Sequence, residues 1–88
     1  MHTAHRALDV LRLLAELGAI GNQNALPDAN MAAQLSKGAI SGAYYNIAVN
    51  LATISDKEAA DATRREIGSI IEEAGRLAAE LEARLIEP

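Results

Sequence analysis

Residues 29–55 read ANMAAQLSKGAISGAYYNIAVNLATIS, and this stretch decides the fold. Its only charge is Lys37; alanine, glycine, serine and asparagine separate a few large apolar side chains. A surface helix shows one broad charged face. A helix this poor in charge is expected to be buried on nearly every side. The rest of an 88-residue chain supplies only two more helices, too little to cover it. The stretch therefore predicts a long central helix inside a larger helical assembly.

Composition supports that reading. A chain this short buries roughly 60–65% of its unfolded surface. Half of its residues are hydrophobic, with alanine the commonest of them; there is no Phe or Trp and there are two tyrosines. Alanine buries little area, so at about 25 cal/mol per Å² a single copy has a thin core. Close helix packing and subunit association are the expected remedies. Cysteine is absent, which excludes disulfides and thiolate chemistry. The chain opens without a secretory pattern, so a cytoplasmic location is expected. The central stretch is long enough to span a bilayer, but Asn30, Gln34, Lys37, Asn46 and Asn50 argue against that. The net charge of −4 falls on the last third, where nine acids face five bases from Asp56 onward. Without a basic patch, nucleic acid is not an expected partner.

One domain, residues 1–88, is expected, all-α, with helices at about 3–17, 28–54 and 56–86. In the first, Leu8, Leu11, Leu14 and Leu17 recur every three residues. Thr3 is placed to cap its start and Gly18 to lie just past its end. Pro27 fits the first turn of the second helix, and Asp28 faces the positive end of its dipole. Ser55-Asp56-Lys57-Glu58 has the form of a capping box. Beyond it, Ile67, Ile70, Ala74, Leu77 and Leu81 alternate by three and four. Asp61–Arg65, Glu72–Arg76 and Glu80–Arg84 are acid-first pairs four apart, on a face expected to be solvated.

Few residues carry chemistry. His2 and His5 share a helix face, but no further ligands accompany them, and no metal site is expected. Asn46 and Asn50, four apart, share a face of the central helix. A buried amide must find partners. Two readings stand: they bridge to neighbouring helices or to the Gly21–Asn24 loop, or they bind a heterocycle that needs donors and acceptors. Tyr44 and Tyr45 diverge by about 100°, so one is expected in the core and the other at a cavity or subunit contact. Lys37, Arg64 and Arg65 are the cations placed to meet an anionic ligand tail.

Two segments carry a resemblance. AIGNQNALPD at 19–28 resembles the IGNxNxxSD segment of the cyclodeaminase/cyclohydrolase family, and GAYYNIAVNL at 42–51, followed by Ile54 and Asp56, is similar to its GAxxNVRINLxxIxD segment. The blocks keep the family's order and spacing, and the match is to the C-terminal half of the family's pattern. The family comprises the cyclodeaminase domain of formiminotransferase-cyclodeaminase and the methenyltetrahydrofolate cyclohydrolases, all-helical homo-oligomers. The resemblance implies folate one-carbon metabolism: ammonia loss from 5-formiminotetrahydrofolate or hydrolysis of 5,10-methenyltetrahydrofolate, with a tetrahydrofolate derivative as substrate and no metal. It also implies Asn22, Asn24, Asp28, Asn46 and Asn50 as folate-binding candidates, with catalytic roles unassigned. Ala48 stands where the family usually has arginine, and Pro27 where it has serine. The expected partners are further copies of this chain or a chain carrying the family's N-terminal half. The alternative is a non-catalytic oligomerisation module that kept only the packing residues.

Overall fold

The computed structural model describes residues 1–20 and 23–86, as three α-helices and one short 3-10 turn. Helix α1 spans His2–Ile20, α2 Leu26–Leu51 and α3 Lys57–Ile86, with the 3-10 turn at Gln23–Ala25. No strand occurs among the described residues, as the sequence predicts.

Long-range contacts fix the helix directions. His5 bonds Glu66 and Arg12 bonds Glu73, the same offset twice, so α1 and α3 run parallel. Asn30 near the start of α2 donates to the carbonyl of Leu81 near the end of α3, so α2 runs antiparallel to both. The result is an up-down-up bundle of 50 × 18 × 16 Å.

The core follows the predicted apolar spacing in α3 and in the first half of α1, whereas Leu14 is only partly buried and Leu17 is 58% exposed. Ala4, Ala7, Leu8 and Leu11 of α1 meet Ile67, Ile70, Ala74, Leu77, Ala78 and Leu81 of α3. From α2 they receive Ala33 and Ile40, with Ile47 partly buried beside them. Spacings of seven residues place this last set on a single side of α2.

The helix ends differ from the sequence reading. Thr3 lies inside the first turn of α1, which starts at His2; the Met1 carbonyl accepts from the His5 amide. Gly18 is within α1 rather than past its end. A β-carbon there would stand 2.6 Å from Cδ2 of fully buried Leu81. Glycine at this position serves close approach of α1 to α3, not a left-handed turn. Helix α2 begins two residues earlier than predicted; Pro27 and Asp28 do occupy its first turn. It ends at Leu51 instead of Ile54, where the Asn50 carbonyl accepts from the amide and the hydroxyl of Thr53. The cap of α3 is Asp56, whose Oδ1 accepts the Ala59 amide at 3.1 Å; the reading of Ser55 as the cap was one residue early. An aspartate flanked by a serine satisfies the same orphan donors, so the sequence alone left the register ambiguous.

The surface pairs also differ. Asp61 bonds Arg64, three residues on, and Arg76 bonds Glu80 rather than Glu72. Spacings of three and four both bring helix side chains together, and rotamers choose between them.

The largest departure concerns α2. Only Leu26, Ala33, Ile40 and Leu51 are buried along it. Met31, Leu35, Tyr45 and Val49 are 66%, 72%, 67% and 71% exposed. Two helices cover one side of a cylinder; within the single chain the central helix is not buried all round.

Candidate functional site

Two hollows lie along the seam between α1 and α2, one at each end of α2. At the head of α2, Leu14, Leu17 and Gly18 of α1 face Ala25, Leu26 and Asp28 across a space of about 380 Å³. The walls are apolar, and Asp28 supplies the carboxylate. The second hollow, about 360 Å³, opens where Met1 and Thr3 meet Gly42, Ala43, Asn46 and Asn50.

Asn46 and Asn50 are exposed, and their side chains make no hydrogen bond to the described residues. They do not bridge helices. That role belongs to half-buried Asn30, whose side-chain amide donates to the carbonyls of Leu26 at 2.9 Å and Leu81 at 3.2 Å. A free carboxamide offers both donors and acceptors to whatever enters the hollow. Of the remaining candidates, Asn24 is exposed and interacts with its surroundings, and Asn22 lies outside the described residues.

The candidates therefore form two groups. Asp28 and Asn46 are eighteen residues apart, five whole turns, so they project from the same side of α2 about 27 Å apart. No small ligand touches both within one chain.

A third hollow of about 250 Å³, between α2 and α3, is lined by Tyr44, Ala48, Leu51, Arg64 and Ile67. Ala48 thus faces a guanidinium supplied by α3. Arg64 bonds Asp61 at 2.9 Å. This hollow lies on the opposite flank of α2 from Asn46, since two residues turn a helix by about 200°. Neither tyrosine is in the core: Tyr44 borders this hollow and Tyr45 is exposed, with the rings edge to face at 5.7 Å.

Leu14, Leu17 and Gly18 were not singled out for the site in the sequence. Placing Gly18 beyond the helix hid the wall that α1 forms against Asp28. His5 bonds Glu66 at 2.7 Å, and no group of three possible metal ligands gathers among the described residues. Among those residues no helix is long and apolar enough to cross a membrane.

These features define an all-helical unit in which Asp28, Asn46 and Asn50 line grooves beside α2. Residues 1–69 match the formiminotransferase-cyclodeaminase family, and the chain belongs to that family through its C-terminal domain. The chain is similar to formimidoyltransferase-cyclodeaminase of Rattus norvegicus, 37% identical over 75 residues that cover 81% of the chain and 14% of the rat protein. The Mus musculus protein of the same name is 36% identical over the same shares. The chain thus spans about one seventh of the length of these relatives. No solved structure matches it.

Proposed function

We propose that this chain binds a reduced folate and serves folate one-carbon metabolism, as a cyclodeaminase or cyclohydrolase completed by assembly. The observation that carries the proposal is the pair Asn46 and Asn50, motif positions of the family, side by side and uncommitted at the mouth of a hollow. A pterin ring presents a carbonyl, ring nitrogens and an exocyclic amine, and two carboxamides answer such a mixed edge. Cyclodeamination closes a ring between a formimino carbon and a neighbouring nitrogen and releases ammonia; cyclohydrolysis adds water to the methenyl carbon, breaks one of its two bonds to nitrogen and releases a proton, leaving a formyl group. Both require proton transfer within a site that orients the ring. Asp28 is the only titratable group among the five candidates, so the proton shuttle falls to it.

The test is titration of the assembled protein with a reduced folate, followed by turnover measured at the methenyl absorbance band. Binding that weakens at least tenfold in Asn46→Ala is the expected result. An assembled protein that binds no reduced folate overturns the proposal. The second reading is a non-catalytic assembly module derived from the family. The exposed apolar face of α2 favours it, and assembly without folate binding would establish it.

A further inference from the structure

The hollow between α2 and α3 is built from one stripe of each helix. Tyr44, Ala48 and Leu51 follow at intervals of four and three along α2, and Arg64, Ile67 and Gly68 at three and four along α3. Such spacings put each set on one side of its helix. Leu51 and Ile67 are buried, so the floor belongs to the apolar core. Ala48 and Gly68 are small and stand on facing helices, which leaves the space between them open. A β-carbon on Gly68 would meet nothing within 4 Å.

Tyr44 and Arg64 bring the polar groups. The Tyr44 ring lies edge to face against Tyr45, centroids 5.7 Å apart, which restrains the wall it forms. Among the described residues that line the hollow, Arg64 alone is charged. Its Nη1 donates to Asp61 Oδ1 at 2.9 Å, one turn earlier on the same helix. Both partners of that pair are exposed, so it contributes little to stability and yields readily to another anion. A guanidinium carries five N–H donors in a flat fork, and such a fork matches a carboxylate.

We propose that this hollow binds a small aromatic carboxylate, with its ring over Leu51 and Ile67 beside Tyr44 and its carboxylate on Arg64. Ligand pockets are apolar with a few placed polar groups, and this one pairs an apolar floor with a single cation at its rim. At about 250 Å³ the space lies below the range of about 300–1,000 Å³ that drug-sized ligands fill, so one ring with its acid group is the fitting size. A free phosphate would shed water over an apolar floor with only one cation to pair it. A neutral aromatic would fill the space and leave the guanidinium unanswered. The hollow lies on the opposite flank of α2 from Asn46, so the proposal is independent of the folate reading.

The test is a titration of the chain with sodium benzoate, followed through its amide NMR shifts. Saturable shifts centred on Ala48, Leu51, Ile67 and Gly68 are expected. Arg64→Gln is expected to weaken binding at least tenfold. Asp61→Asn is expected to bind at least as tightly as the native chain, because it removes a carboxylate that competes for Arg64. A merely structural Arg64–Asp61 pair would make both variants lose alike. Gly68→Leu is expected to keep its helicity by circular dichroism, since the space beside it is open, and to abolish binding. Benzamide, the uncharged analogue, and inorganic phosphate, an anion without a ring, are each expected to bind at least tenfold more weakly than benzoate. Shifts that scatter or do not saturate, full binding by Arg64→Gln or by Gly68→Leu, equal losses in Arg64→Gln and Asp61→Asn, or benzamide or phosphate bound as tightly as benzoate would each overturn the proposal. Failure of the folate titration leaves these results untouched.

Discussion

The guanidinium of Arg12 on α1 holds both carboxylate oxygens of Glu73 on α3, Nε to Oε2 at 2.7 Å and Nη2 to Oε1 at 2.9 Å. A two-pronged contact of this kind fixes the register of the two parallel helices as well as their spacing. It sets His5 beside Glu66 two turns earlier.

The Arg12 hydrogen bond, reinforced by its charge and opposed by partial burial, holds the Glu73 carboxyl below its ordinary value of 4.5. A carboxyl depressed in the folded state stabilises the fold fully above its unfolded pKa and loses that contribution as pH falls through the folded value. Glu73→Gln is therefore expected to lower the thermal midpoint at neutral pH. The gap from the native chain should close on acidification below about pH 4. Equal gaps at neutral and acid pH would show that the carboxylate charge is not what Arg12 holds.

Gly18→Ala tests the close approach of α1 and α3. Alanine favours a helix interior by about 1 kcal/mol over glycine. Its methyl would meet Leu81 Cδ2 at 2.6 Å, and Leu81 is fully enclosed. Overpacking of this kind costs about 1–3 kcal/mol, so a net loss of about 1 kcal/mol is expected in urea unfolding. A gain in stability would mean that Leu81 turns aside freely.

What the sequence showed and what it hid have separate physical causes. Helix content and the α1 and α3 core faces follow from spacing, because Leu8, Leu11, Ile67 and Leu81 repeat at helical intervals whatever their partners. Gly18 was misread because a glycine after an apolar run signals either a helix end or a tight crossing, and only the neighbour Leu81 separates the two. Burial of α2 was read from lack of charge. Lack of charge does not say which neighbour covers a helix, and within this chain only the side of α2 that carries Leu26, Ala33, Ile40 and Leu51 is buried. The candidate site was legible in the motif positions Asp28, Asn46 and Asn50, while their separation along one helix becomes plain only once the ends of α2 are fixed.

Capping of α3 gives a test with a built-in control. Asp56 Oδ1 accepts the Ala59 amide, whereas Ser55 stands outside the helix. Asp56→Ala is expected to cost about 1 kcal/mol of stability, and Ser55→Ala only a few tenths, in chemical unfolding. The reverse order would move the cap to Ser55 and lengthen the helix by one residue.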